Sequence, residues 1–244
     1  GLIYMPQAGE AIGEFYFDKN YFTSALQVFE HINQNEHSYE LVEKIGFCYQ
    51  KLGQFSEAVK SYKEAEIFDA SRTWLLKKVG YCYRKLNEYD KAIEYYLKVE
   101  KYEPDNLEVQ AYLGQLHIDK EDFGGALKYY FKVEYLKPNF TKVQRPIAWC
   151  SFLLNKPDQA IRYYEKLTEA EGQRSDYLNL AHCYWVSGKL SDAIKSYRLA
   201  VKHAGADKDW FRDSLQKDAK HLLSYGLEEL EIGLMVDYIL LDID

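Results

Sequence analysis

The chain has 244 residues, of which 47% are hydrophobic and 28% are charged, a composition typical of folded domains rather than disordered chains. None of its apolar runs approaches the ~20 residues that span a bilayer, so we expect no membrane span. The net charge of −7 argues against nucleic acid as a partner, because that binding depends on Lys and Arg neutralising phosphates.

One pattern recurs along the chain at intervals of 33 or 34 residues. Residues 46–62 read GFCYQKLGQFSEAVKSY, and residues 80–96 read GYCYRKLNEYDKAIEYY. Six such units share a small leading residue, an alanine twelve residues later and an aromatic residue four beyond it. The leading residues are Gly13, Gly46, Gly80, Gly114, Ala148 and Ala181; the alanines are Ala25, Ala58, Ala92, Ala126, Ala160 and Ala193; the aromatic residues are Phe29, Tyr62, Tyr96, Tyr130, Tyr164 and Tyr197. This regularity predicts a repeat architecture.

Each unit is predicted to form two helices joined by a short turn. The leading small residue and the residue three positions later share one helical face, as do the alanine and the aromatic residue of the second helix. The small residue is expected to let a neighbouring helix approach closely. The predicted turn residues are Asn20, Gly53, Asn87, Asn155 and Gly188. The predicted N-caps of the second helices are Thr23, Ser56, Asp90, Asp158 and Ser191.

Three prolines and one glycine pair mark where individual units depart from the pattern or end. Pro104 and Pro138 close their units, because proline stops one helix and precedes the next. Pro146 lies inside the first helix of the fifth unit and is expected to bend or delay it. Gly124 and Gly125 stand in the fourth unit where the others have a predicted N-cap.

This arrangement resembles the tetratricopeptide repeat, a 34-residue helix–turn–helix unit with Gly then Tyr, Ala then Phe, and a closing Pro. The resemblance covers residues 6–207. It implies an all-α, right-handed α-α superhelical solenoid of six helix pairs plus a C-terminal capping helix pair, forming one continuous domain. The predicted units are 6–38, 39–72, 73–106, 107–140, 141–173 and 174–207, within an array at residues 1–207.

After residue 207 the repeat pattern fades, and residues 208–244 are predicted to form capping helices with an acidic tail. From Gly226 onward there are six acids and no Lys or Arg. These acids are Glu228, Glu229, Glu231, Asp237, Asp242 and Asp244. We expect the segment to shield the last unit, as repeat arrays require. A second interpretation is that the acidic and apolar tail, residues 227–244, occupies the binding groove of its own or a neighbouring molecule.

The residue types that carry chemistry predict no catalytic, metal or cofactor site. Cys48, Cys82, Cys150 and Cys183 recur in one repeat position without zinc-ligand spacing, so we interpret them as buried free thiols. Reduced thiols suit the cytoplasm, which is the predicted location. The sequence contains no HExxH, GxSxG or phosphate-binding loop, so the chain is predicted not to be an enzyme.

The resemblance also implies a binding face, namely a concave groove lined by the first helix of each unit. It places the following residues there: Phe47, Trp74, Lys77, Lys78, Tyr81, Arg84, Tyr112, Arg145, Trp149, Phe152, Asn179, His182 and Trp185. Aromatic residues beside cations are typical of binding hot spots and suit a partner with acidic and apolar residues. Some of the aromatic residues have an alternative interpretation as packing between units, because Phe47 and Tyr81 directly follow the leading glycines.

These features predict a non-enzymatic protein–protein interaction scaffold or adaptor for a protein or peptide partner. A regulatory or substrate-docking module of a larger enzyme or signalling protein is the alternative, since the chain begins with Gly1 instead of Met. A nucleic-acid-binding helical repeat is disfavoured by the acidic net charge. Capture of an acidic chaperone tail is disfavoured because Asp209 and Asp213 stand where that activity needs bases. The oligomeric state is left open.

Overall fold

The computed structural model describes residues 6–241, which form helices joined by short connections. The predicted all-α fold is confirmed, because the helices follow one another in antiparallel pairs consistent with the expected solenoid. They are α1 (Pro6–Asp18), α2 (Phe22–Asn33), α3 (Tyr39–Lys51), α4 (Phe55–Phe68), α5 (Thr73–Lys85), α6 (Tyr89–Tyr102), α7 (Leu107–Asp119), α8 (Phe123–Leu136), α9 (Thr141–Leu153), α10 (Pro157–Glu171), α11 (Arg174–Val186), α12 (Leu190–His203), α13 (Lys208–Ser224) and α14 (Glu229–Leu240). Residues 1–5 of the predicted array and the tail acids Asp242 and Asp244 lie outside the described residues. No helix in the described range is long and apolar enough to cross a membrane.

The chain divides into two compact units, Gly1–Lys120 and Glu121–Asp244. The first unit contains α1 to α7, and each of these helices packs against the next. The second contains α8 to α14, where the predicted capping helices α13 and α14 pack against each other and against α12. The division falls between α7 and α8, inside the fourth predicted repeat, whereas the sequence predicts one continuous array up to residue 207.

Three of the leading glycines, Gly13, Gly46 and Gly80, lie directly against aromatic rings of the second helix in the same repeat. A Cβ atom on Gly46 would lie 2.8 Å from the Tyr62 ring, and one on Gly80 would lie 2.7 Å from the Tyr96 ring. Both distances are shorter than van der Waals contact, so these helix pairs can approach this closely only because the residue is glycine. The predicted close-approach role of these glycines is therefore confirmed, and the approaching helix is the partner within the repeat.

The turn inside a repeat is closed by a residue in the left-handed conformation. The backbone φ is 61° at Asn20, 60° at Asn87 and 58° at Asn155, and Gly53 and Gly188 both have 75°. The N–H of the following residue then donates to a carbonyl in the last turn of the first helix, which completes a Schellman motif. The predicted turn residues are thus confirmed.

The predicted N-caps of the second helices are wrong by two positions. Each of these helices begins immediately after the Schellman motif, so Thr23, Ser56, Asp90, Asp158 and Ser191 occupy its second residue. The observed N-cap residues Gln54 and Glu88 make no side-chain cap hydrogen bond. In the fourth repeat, by contrast, the Asp122 side chain accepts from the backbone N–H of Gly125.

The four cysteines are buried and free, as predicted from their spacing. Burial raises the pKa of Cys48, Cys82 and Cys150 to about 12, which disfavours the reactive thiolate. Their place in the helix packing indicates a structural role.

Pro146 is accommodated inside α9, which begins at Thr141, so the expected delay of that helix does not occur.

Candidate functional site

Most of the predicted binding residues of the first unit, but not Phe47 or Arg84, line a groove between α5 and α7, which we call the α5 groove. It has a volume of about 440 Å³. It is lined by Gln50, Thr73, Trp74, Lys77, Lys78, Tyr81, Tyr96, Glu108, Val109 and Tyr112. Five predicted residues, Trp74, Lys77, Lys78, Tyr81 and Tyr112, are therefore brought together by the fold.

The sequence of α5 separates the groove residues from the core residues. Leu75, Leu76, Val79, Cys82 and Tyr83 are buried against neighbouring helices. The groove residues alternate with them at intervals of three or four, which is the spacing of a single helical face. The burial of the apolar face therefore fixes the direction in which the lysines and aromatic residues point.

Two of the predicted cations of the first unit are already paired inside it. The Lys77 Nζ atom lies 2.9 Å from Glu103 Oε2, and hydrogen bonds from Thr73 and then Lys77 lower the pKa of that carboxyl group. The Arg84 guanidinium donates to both carboxylate oxygens of Asp119, at 2.5 and 3.4 Å. These pairs hold neighbouring helices together and neutralise both positive charges.

Lys78 differs from both of these cations because no carboxylate forms an ion pair with it. Its Nζ atom lies 5.4 Å from the Phe47 ring centroid and 5.3 Å from that of Trp74. No carboxylate within the described part of the chain lies within 4.0 Å of it. Burial, and then the charge of Lys51, lower the pKa of Lys78, and Cys82 and Glu43 offset only part of this effect. The groove thus holds a half-buried cation between two aromatic rings.

Two further lysines extend the positive charge along the same face. Lys51 Nζ lies 5.1 Å from the Phe47 ring centroid, and Lys85 Nζ lies 5.6 Å from that of Tyr81. Both side chains are exposed, and neither forms an ion pair with any described residue. We call Lys51, Lys78 and Lys85 the open lysines. Glu108 is the carboxylate that also lines the groove.

The aromatic residues of the α5 groove are held in place from behind. Tyr112 is stacked on Tyr96, with ring centroids 5.1 Å apart and an interplanar angle of 11°. Trp74 meets Tyr62 edge to face at 6.3 Å and remains 41% exposed. An exposed indole ring on a rigid support can provide an apolar contact for a ligand with little loss of side-chain entropy.

The predicted polar residues of the second unit are engaged inside it. Arg145 forms a bidentate ion pair with Asp176, with both nitrogen-to-oxygen distances 2.8 Å. Asp176 is 1% exposed and also accepts from the backbone N–H of Gln173 at the start of α11. The Asn179 amide lies 3.1 Å from the hydroxyl group of Tyr164. Arg145 and Asn179 therefore contribute to helix packing.

Two of the predicted aromatic residues of the second unit, Trp149 and Phe152, contact the C-terminal end of α13 and its C-cap residue Tyr225, whereas Trp185 packs against Tyr197 of α12. The Tyr225 ring is stacked on Phe152 at 5.0 Å, and its hydroxyl group donates to the Phe152 carbonyl. His221 meets the Trp149 ring edge to face at 5.4 Å. Phe152 and Trp185 are buried, at 1% and 9% exposure, and Trp149 is partly buried.

His182 is also enclosed beneath α13. It is fully buried, with its Nδ1 atom 2.6 Å from the Tyr197 hydroxyl group. Its Nε2 atom lies 3.4 Å from a carboxylate oxygen of Asp218, an α13 residue. The Nδ1 contact connects α11 to α12, whereas Nε2 faces Asp218 of α13 without a hydrogen bond.

Sequence reasoning missed the coverage by α13. The pattern from Trp210 to Leu223 identifies an amphipathic helix, but it does not indicate which surface that helix covers. Asp218, His221 and Tyr225 carry no repeat signature, since the repeat period ends before them. A tyrosine immediately after a helix, followed by glycine, is the one local sign of a specific contact there.

The two units differ in which of their side chains are free of internal partners. Among residues 6–241, no cluster of His, Cys, Asp or Glu is arranged to hold a metal ion. The first unit offers open lysines beside supported aromatic rings. The second unit has comparable side chains, but its own helices occupy them.

Three sequence-family models match the chain, and all three describe the tetratricopeptide repeat. They match residues 39–66, 74–106 and 154–209. These segments include the α5 helix and the α11–α12 pair. No curated protein sequence matches the chain significantly.

Solved structures with similar folds are also repeat proteins. A tetratricopeptide repeat protein from Parabacteroides merdae is 18% identical, with a TM-score of 0.65 over 96% of this chain and 99% of that one. The protein MamA is 21% identical, with a TM-score of 0.59 over 68% of this chain and 95% of that one. MamA from Desulfovibrio magneticus is 16% identical, with a TM-score of 0.61 over 68% of this chain and 94% of that one.

Proposed function

Because the chain belongs to the tetratricopeptide repeat proteins, we propose that it is a non-enzymatic interaction module that binds a partner segment in the α5 groove. Repeats of this family generally serve as protein-interaction modules. The matching family models are repeat models and include no catalytic family. The proposal therefore concerns which surface binds and which ligand chemistry it accepts.

The observation that carries the proposal is the environment of Lys78. Its ammonium group is partly removed from water by Phe47 and Trp74, and no described carboxylate pairs with it. A partly buried, unpaired charge is costly to the free protein, and an incoming carboxylate would offset that cost. Cation–π contacts with the two rings relieve part of this cost in the free protein. A carboxylate would relieve the remainder on binding, so Lys78 favours an acidic ligand.

The ligand also needs an apolar group beside its acid. Trp74 is exposed and supported by Tyr62, and Tyr112 is supported by its stacking on Tyr96. A leucine or aromatic side chain that covers these rings would bury apolar surface while its neighbouring carboxylate pairs with Lys78. The expected recognition segment therefore combines Asp or Glu with a large apolar residue a few positions away.

The predicted residues of the second unit have a different role in this proposal. Phe152 and His182 stabilise the packing beneath α13, and Trp185 packs against Tyr197 of α12. Arg145 and Asn179 stabilise the α9–α11 region. A ligand at that face would have to displace Tyr225 and His221 from their ring contacts. We therefore assign the binding surface to the first unit alone.

Selection from a displayed library of random peptides tests this proposal even while the natural partner is unidentified. The wild-type chain serves as the target, and the Lys78→Glu variant is used to remove peptides that bind elsewhere. We expect the recovered peptides to be enriched in Asp and Glu adjacent to Leu, Phe or Trp. Enrichment without acids, or the same peptides on both targets, would contradict the assigned surface.

Titration of a selected peptide by fluorescence anisotropy then measures each contribution. Trp74→Ala should weaken binding by about 2 kcal/mol if the ring is a hot spot. Lys78→Glu should weaken it and reduce its dependence on salt, since a cation that meets the peptide's carboxylates is replaced by an acid. Lys63→Glu is the matched control, because it makes the same charge change at an exposed position on α4. Equal losses from Lys63→Glu and Lys78→Glu would indicate a general charge effect and no specific groove.

A further inference from the structure

The last described helix carries an apolar stripe whose residues are about half exposed or more. Leu230, Leu234, Tyr238 and Leu241 are 69%, 58%, 48% and 75% exposed. Their spacing places them on one side of α14. The opposite side, which includes Ile232 and Ile239, is buried in the second unit. The helix therefore has two apolar sides, and we call the exposed one the α14 stripe.

Acidic residues border the α14 stripe. Asp237 lies at one edge and Glu231 at the other, and both line the groove beside Leu234 and Tyr238. Glu231 is also bonded to the backbone N–H of Glu228, so it helps to start the helix. Arg198 of α12 lies over the Tyr238 ring at 5.6 Å. No Lys or Arg occurs in the sequence after Gly226.

This surface has the ligand chemistry that the α5 groove favours. The groove offers Lys78 beside Trp74, and the stripe offers leucines beside Asp237. We propose that the α14 stripe of one copy of the chain docks in the α5 groove of a second copy. The inference rests on the proposed function, since it names a partner for the same groove.

Charge also decides which faces of two copies can meet. Two α14 stripes facing each other would bring acids against acids, and like charges across an interface oppose association. A stripe in an α5 groove brings acids to unpaired cations and leucines to aromatic rings. The resulting contact joins two different surfaces, so it leaves one groove and one stripe free and allows chains of more than two copies.

Sedimentation of the full chain with a charge exchange tests the proposal. The wild type should show a weight-average mass that rises with protein concentration from 28.7 kDa and falls when salt is added. Lys78→Glu and Asp237→Lys should each weaken association by about tenfold or more, because each places like charges opposite one another. An equimolar mixture of the two variants should associate again, since each supplies the charge that the other has lost. Lys63→Glu should associate as the wild type does.

The outcomes separate this inference from the proposed function. If the wild type stays at 28.7 kDa while selected acidic peptides bind the groove, self-association is wrong and the proposed function stands. If neither occurs, both are wrong. Association that survives Lys78→Glu but not Asp237→Lys would place another surface opposite the stripe and overturn the proposal. Release of single copies by a selected groove peptide would support it.

Discussion

The α5 face of the first unit and the α9–α11 face of the second contain similar residue types. The two faces differ in how many of these side chains are paired or buried inside the protein. Both carry cations and aromatic rings, which the family resemblance assigns to ligand binding. On α5, Lys78 lies between two rings without an acid, and Trp74 is exposed. On α9, Arg145 is tied to Asp176, and Phe152 lies beneath Tyr225.

The difference shows that availability depends on what else packs against a repeat. The side chains of α9 and α11 have the composition of a binding face, yet α13 takes up much of their surface. The same composition on α5 remains available to a ligand. The residue types at the repeat positions therefore indicate which kinds of group a helical face can contact. The neighbouring helices determine whether that face packs inside the protein or remains exposed to a partner.

Truncation of one aromatic residue in each unit should show the largest contrast. Phe152→Ala should lower the free energy of unfolding by about 3–5 kcal/mol, because Phe152 is fully enclosed by Trp149, His182 and Tyr225. Phe47→Ala should cost less, about 1–2 kcal/mol, since that ring is only partly buried. Urea unfolding followed by circular dichroism measures both, and equal costs would remove the contrast between the faces.

Removing the cation of the paired site should also be costly. Arg145→Met leaves Asp176, which is 1% exposed, without its bidentate partner. Loss of one member of such a pair typically costs several kcal/mol, and the partial exposure of Arg145 reduces this to about 2–4 kcal/mol. The same urea experiment should show the loss in a peptide-free sample. A stability unchanged by Arg145→Met would indicate that its charge is available for binding.

The glycine at the close approach in α5 should tolerate no side chain. Gly80→Ala places a Cβ atom 2.7 Å from the Tyr96 ring, which is stacked on Tyr112, and should cost about 1–3 kcal/mol. Gly233→Ala is the control, since nothing lies within 4 Å of that Cβ atom on α14. There the exchange should stabilise the chain by up to about 1 kcal/mol. Melting temperatures should move in opposite directions, and parallel shifts would contradict the packing argument.

The smallest change in the free energy of unfolding should appear at Lys78. Its sign should be opposite to that of the change at Arg145. Lys78→Met removes a partly buried charge without a partner while keeping the aliphatic stem, so stability should rise by about 0.5 kcal/mol. Binding of an acidic peptide should fall at the same time. A decrease in stability would mean that the cation–π contacts of Lys78 with Phe47 and Trp74 outweigh the cost of burying its charge.

Much of the fold follows from the sequence because the packing constraint repeats. Gly46 and Gly80 must be small to accept Tyr62 and Tyr96, and the left-handed turn residues follow them at a fixed distance. The N-caps could not be predicted from residue type, because the Schellman motif positions the start of the second helix through backbone bonds. Thr23 and Ser56 therefore lie inside their helices, although both are good capping residues.

The candidate site could be predicted only in composition. The sequence indicates that Lys77, Lys78 and Arg84 lie on one face. However, the ion pair of Lys77 depends on an acid 26 residues away, and that of Arg84 on an acid 35 residues away. No local pattern reveals that Glu103 and Asp119 face two of the three cations and leave Lys78 without one. The contact between Tyr225 and Phe152 joins residues 73 positions apart and lies beyond the repeat period.

Hydrogen exchange of the chain, free and saturated with a groove-selected acidic peptide, tests most directly whether the first unit holds the accessible binding face. Segments that cover Thr73–Lys85 and Leu107–Asp119 should exchange more slowly in the complex, because α5 and α7 form the groove. Segments that cover Thr141–Leu153 and Arg174–Val186 should exchange at the same rate with and without peptide. Slower exchange of α9 and α11 with unchanged α5 would contradict the account, since it would place the ligand on the face that α13 covers.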